Sequence, residues 1–265
     1  MKTWIIRGLT LLGTLAFGST LHFLLEPIGY AWVVWTLGAI ALCFFALEIA
    51  LQQRKRFGER ASWARWRRAL LDPPARKHAL DELRRELARA HRLGPRLRVK
   101  QARLSVARAE LLLAEGKSRD AIATLAAIDV NQLEPLQAAA VRIARTQAYL
   151  HLGDVDGAAA TLSPLAGETT GDAVVDASLR LAFGAVALEE GRTDDAEAAA
   201  RGVVEIAEEH DELWDEAKAL EAACLEERDE PHQETLRAIG APGRARLLAL
   251  GPRRLREMLE ELDGS

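Results

Sequence analysis

The chain has two cysteines in 265 residues, Cys43 and Cys224, and they stand far apart in different surroundings. That leaves no disulfide framework and no thiolate zinc site. Aromatic residues make up only 5% of the sequence and there is no clear strand pattern, which suits helices more than sheets. The six histidines (22, 78, 91, 151, 210 and 232) are scattered and none belongs to an HExxH. There is no GxSxG, and no GxGxxG following a strand. The Gly/Pro-containing stretch AIGAPGRARLLALGPRR lacks the GK[ST] ending of a phosphate loop. No catalytic, metal or cofactor constellation is present, and the sequence reads as a non-enzyme.

What is abundant is Ala and Leu, which favour helices. The net charge of −4 conceals three zones. Residues 1–52 are near neutral. Residues 53–104 carry 17 Lys/Arg against 5 Asp/Glu, and residues 105–265 carry 16 against 32. Such blocks imply different neighbours for each zone.

The first zone holds two long apolar runs, Gly8–Leu25 and Ala31–Leu51, separated by Glu26-Pro27-Ile28-Gly29-Tyr30. The second run, 21 residues, suffices to cross a hydrocarbon core of ~30 Å at ~1.5 Å per residue. Trp4, Ile5 and Ile6 extend the first run; a cleaved secretory leader is its competing reading. The connecting turn has no Lys or Arg, whereas Lys2, Arg7 and the stretch QQRKRFGERASWARWRR flank the other ends. The positive-inside rule then predicts a transmembrane hairpin over 1–52 with both termini cytoplasmic, in a bacterial-type inner membrane. Arg7 and Glu48 fall at similar depth and either pair or snorkel independently; His22 reads as an interfacial histidine.

The second zone, 53–95, is a basic neck. Arg54, Lys55, Arg56, Trp63, Trp66, Arg67 and Arg68 combine cations with tryptophans, the composition that suits a bilayer with anionic headgroups. Asp72-Pro73-Pro74 ends this element. Leu80, Leu83, Leu87 and Ala90 then predict an amphipathic helix stopped by Gly94-Pro95. No nucleic-acid recognition motif accompanies the charge, so nucleic acid is not an expected partner.

In the third zone Gly116, Gly153 and Gly191 lie 37 and 38 residues apart, each followed five positions on by an alanine, Ala121, Ala158 or Ala196. Apolar-periodic runs flank each glycine. Each unit reads as helix, tight turn, helix, with glycine supplying the turn and alanine the close crossing. Asp154 and Thr193 are expected helix caps. A single hairpin of this kind cannot bury its apolar face, and stacking several does.

The set Ala109, Leu112, Gly116, Ala121, Leu125 recurs as Thr146, Tyr149, Gly153, Ala158, Leu162 and as Gly184, Ala187, Gly191, Ala196, Ala200. This pattern, over residues 102–208, resembles the tetratricopeptide repeat, whose usual period is about 34 residues. The order of hairpin, basic neck and repeats, with FFALEIALQQRKRF (44–57), also resembles HemY-type membrane proteins associated with haem biosynthesis. The resemblance implies an all-α fold: a two-helix transmembrane hairpin, the neck, three repeats over 96–208, and capping helices over 209–265.

It further implies that the first helix of each repeat lines a concave groove for a protein partner. The matching positions are Arg103, Val106, Glu110 and Leu113; Ala140, Ile143, Gln147 and Leu150; and Ser178, Leu181, Ala185 and Leu188. The pairs Val106/Leu113, Ile143/Leu150 and Leu181/Leu188 are each two helical turns apart and share a face. The resulting apolar strip either receives a partner's helix or peptide or is covered by the chain's own terminal helices. The expectation is a membrane-anchored scaffold or adaptor. The alternatives are a HemY-like organiser of haem-biosynthesis enzymes and an accessory subunit of a transport or secretion complex. The acidic residues of 189–230 read mostly as a solvated face; the alternative is an acidic surface for a basic partner, for the chain's own neck, or for the neck of a second copy in a homo-oligomer.

Overall fold

The computed structural model describes residues 61–265 apart from 93, 95–96, 209–210 and 265. The expected transmembrane hairpin and the cations Arg54, Lys55 and Arg56 lie outside the described residues. No helix among the described residues is long and apolar enough to cross a membrane. The chain divides into two compact units, 1–64 and 65–265, and the second carries the fold that follows.

Every regular element described is helical. Residues 61–71 are helical, and Pro73 opens α1 (Pro73–Arg92), where a missing N–H costs nothing. α1 buries Ala79, Leu83, Leu87 and Ala90, the stripe its sequence predicts apart from half-buried Leu80. Arg76 ties two helix ends together. Its guanidinium donates to the carbonyl of Leu70 (2.6 Å) and to that of Ala114 (2.7 Å), acceptors that have no partner within their own helices.

Three hairpins follow: α2 (Arg98–Ala114) with α3 (Ser118–Ala126), α4 (Pro135–Leu152) with α5 (Val155–Leu162), and α6 (Ala173–Glu189) with α7 (Thr193–Val204). Gly116, Gly153 and Gly191 end the first helix of each in the left-handed region, at φ 73°, 83° and 78°. Beyond each, one N–H reaches back to a carbonyl five residues earlier: Lys117 to Leu112 (2.8 Å), Asp154 to Tyr149 (2.9 Å), Arg192 to Ala187 (2.8 Å). These are Schellman turns, which satisfy carbonyls a helix end otherwise leaves open. Ala121, Ala158 and Ala196 are fully buried at the crossings, as are Leu125, Leu162 and Ala200. At Gly184 a Cβ would lie 2.8 Å from both Ala199 Cβ and Leu220 Cδ2, so α6 can approach its neighbours only without a side chain there. Asp154 caps α5 by accepting the Gly157 N–H (2.9 Å), whereas Thr193 is the first residue of α7 rather than its cap.

The period continues once more. α8 (Glu212–Glu227) and α9 (Gln233–Ala238) form a fourth hairpin. Asp229, 38 residues after Gly191, is left-handed at φ 58°, and the Glu230 N–H bonds the Leu225 carbonyl at 2.9 Å. Helices α2, α4, α6 and α8 pack in sequence as an inner layer, with α3, α5 and α7 each filling the step to the next inner helix. This is solenoid-like packing. The last two helices, α10 (Ala241–Leu250) and α11 (Arg253–Gly264), do not extend the stack. They fold back onto the inner layer, α10 against α2 and α8, α11 against α4 and α8.

A left-handed conformation costs an L-residue about 1 kcal/mol or more, which glycine avoids. Asp229→Gly is therefore expected to stabilise the protein by about 0.5–1 kcal/mol, and Gly153→Ala to destabilise it by about 1 kcal/mol. Chemical denaturation of the two variants against wild type reads both signs.

Candidate functional site: the inner face

The inner face splits into a covered half and an open half. Under the α10–α11 hairpin, Leu181 and Leu188 join one apolar core with Leu247, Leu255, Met258 and Leu259. Only about 60 Å³ of free volume remains between α4, α6, α8 and the hairpin, lined by Leu150, Leu181, Leu250 and Leu255 among others. Leu113 is also buried. Arg103 is exposed, Ala185 lies under the hairpin with Leu150 and Leu181, and the remaining groove positions line the open half.

There a cavity of about 620 Å³ lies among α2, α4, α6, α8 and α10. Val106, Glu110, Ile143 and Gln147 line it, together with Val174, Val175, Leu213 and Glu216. Val174 stands on its rim with 62% of its surface exposed, a large apolar side chain left to solvent. Val174 lies in the first turn of α6, outside the positions that match the groove. A smaller cavity of about 320 Å³ continues past Arg67, Arg68 and Pro242.

Charge concentrates where the two cavities meet. Arg246 of α10 places its guanidinium 2.7 Å from Glu212 and 3.4 Å from Glu216. Arg67, from the basic neck, reaches Glu212 at 3.0 Å. Burial pushes the Glu110 carboxyl above the ordinary range, against the pull of Arg246 and Arg67. Burial does the same to Glu216, again opposed by Arg246. Burial works against the Arg246 charge, but Glu216, Glu212 and Glu110 overcome it and hold the guanidinium above its usual range. With Asp211 and Asp215 close by, carboxylates outnumber guanidiniums here, so the open half favours cationic groups.

Of the residues assigned to a membrane interface, Trp66 is 6% exposed and its ring belongs to the packing of this unit. Trp63 is half-buried, and Arg67 and Arg68 are exposed. Among the described residues, no group of three or more His, Cys, Asp or Glu side chains could hold a metal ion. Burial pushes the Cys224 thiol up to about 11, leaving it protonated and unreactive at neutral pH.

One buried polar joint links α3 to α4 beside the covering hairpin. His151 Nδ1 and Ser118 Oγ are 2.8 Å apart, both side chains buried, and Arg256 of α11 donates to the His151 carbonyl at 3.3 Å. Burial, with the Arg256 charge adding to it, lowers the imidazole to about 4. The folded state therefore holds neutral histidine, while the unfolded chain takes a proton near its ordinary value of 6.5. The stability this provides is complete above pH 6.5 and is lost as pH falls from 6.5 towards 4. The loss should reach about 3 kcal/mol. Thermal melts of wild type and His151→Gln across that window should differ in slope, the variant being flatter. No protein-family model, curated protein or solved structure matches this chain.

Proposed function

We propose that this chain is a membrane-anchored helical-repeat adaptor that holds a protein partner on the open half of its inner face. The N-terminal apolar hairpin serves as the anchor, in a bacterial-type inner membrane with both termini and the tetratricopeptide-like repeats on the cytoplasmic side. The observation that carries the reading is the cavity of about 620 Å³ with Val174 exposed on its rim. Its apolar walls suit one or two anchoring side chains of a partner segment, and its excess carboxylates suit a basic residue beside them.

The covered half serves differently. Leu150, Leu181 and Leu188 are occupied by α10 and α11, so they stabilise the fold rather than meet the partner. Core and contact positions are thus separable by mutation. Leu181→Asp buries an unpaired charge and should cost about 4 kcal/mol or more, visible as lost helicity. Val174→Asp touches no core. It should leave the melting curve unchanged and remove the partner that co-purifies with the full-length protein in gentle detergent. Retention of every co-purifying protein by a folded Val174→Asp variant would sink the reading.

A further inference from the structure

A second cleft, of about 760 Å³, opens on the other side of α2, between α1, α2 and α3. That volume lies within the ~300–1,000 Å³ range of small-molecule sites. Its floor is apolar, with Leu87 and Ala102 buried. Helices α1 and α2 run antiparallel, and their register is fixed where Gln101 Nε2 donates to the Ala90 carbonyl at 2.9 Å. Arg84 lies six residues before Ala90 and Arg108 seven after Gln101. The two arginines therefore stand at about the same level across the α1–α2 seam, and both line the cleft.

Neither guanidinium makes a hydrogen bond or an ion pair among the described residues. Of the other cations nearby, Arg76 is spent on helix-end carbonyls and Arg89 and Lys100 both pair with Glu86 (2.9 and 3.4 Å), while Arg98 also lines the cleft and its guanidinium has no partner among the described residues, adding a third positive charge. Two carboxylates do line the cleft, on its α3 side. Asp129 is engaged with the Asn131 N–H (3.1 Å), and Asp120 sits in the first turn of α3, where the helix dipole favours it. Neither forms an ion pair with Arg84 or Arg108. Two like charges kept facing one cleft repel each other, and a multi-oxygen anion between them relieves that repulsion. Guanidinium forks match phosphate oxygens in pairs. The aspartates across the cleft disfavour a second anionic group, and the apolar floor favours an uncharged body.

We propose that this cleft binds a ligand with a single phosphate-type head, seated between Arg84 and Arg108, and an apolar portion over Leu87 and Ala102. The head belongs either to an anionic phospholipid or to a soluble phosphate compound. The site is independent of the inner face.

The test uses full-length protein in a phosphorus-free detergent, titrated with inorganic phosphate and, separately, with dihexanoyl phosphatidylglycerol, followed by ³¹P line broadening. Arg84→Gln/Arg108→Gln should weaken binding at least tenfold with the melting curve unchanged, because neither side chain supports the fold. Lys77→Gln/Arg119→Gln removes the same charge outside the cleft and should bind as wild type does. Binding of both probes identifies the phosphate group itself as the determinant; binding of the lipid alone identifies a phospholipid head. No binding of either probe, or equal weakening in both double variants, overturns the proposal.

Discussion

The left-handed residue at the end of each inner helix decides where the next helix begins, and the packed surfaces depend on that placement. A helix cannot reverse without leaving carbonyls open at its end, and the turns at Gly116, Gly153, Gly191 and Asp229 close them in one way each time. With the reversal fixed, the residue five positions after each of the three glycines meets the same face of the preceding helix. Ala121, Ala158 and Ala196 sit at that spot with no exposed surface, so the crossing distance is set by a methyl group. Repeating the unit at 37 or 38 residues brings each inner helix against the next, and burial that one hairpin cannot achieve becomes continuous.

The hairpins are unequal, and this explains the C-terminal helices. Inner helices run 16 to 18 residues, outer ones 6 to 12. The outer layer covers one side of the stack, and the long inner helices still present apolar surface on the other. Leu150, Leu181 and Leu188 are on that surface, and exposing a strip of that kind to water is costly. α10 and α11 fold back over it. α11 spends Leu255, Met258 and Leu259, a helical stripe, on the contact. The half of the inner face they do not reach keeps its cavity.

The regular part of this arrangement was legible in the sequence because glycine and alanine there answer steric demands that few other residues meet. The fourth turn was not. Asp229 adopts the same left-handed region as the glycines, but aspartate occurs in so many conformations that its identity signals nothing. Nor did the strip reveal what covers it. Val106, Ile143 and Leu181 share one pattern, yet Leu181 is sealed in the core under α10 and α11, Ile143 is nearly as buried at the edge of the open cavity, and Val106 is only half-buried there. Periodicity reports which face is apolar; only the path of the chain 30 or more residues later decides whether that face stays wet. The meeting of Arg246 with Glu212 and Glu216 was equally hidden, since no spacing rule relates α10 to α8.

That charged joint has a cost that a purely apolar one would avoid. Glu110 and Glu216 are held in surroundings that raise their carboxyls, and burying ions recovers little net stability even when they are paired. The gain lies in register. An apolar helix resting on an apolar strip can slide by a turn with little penalty, whereas a guanidinium between two carboxylates fits at one position. The backbone enforces the same choice. At Gly243 of α10 a Cβ would fall 2.0 Å from Asp215 Oδ2, so only this glycine can pass that point on α8. Steric and electrostatic constraints from two separate residues thus select a single seating of the C-terminal hairpin. The extent of the open half, and with it the size of its cavity, is set by that seating.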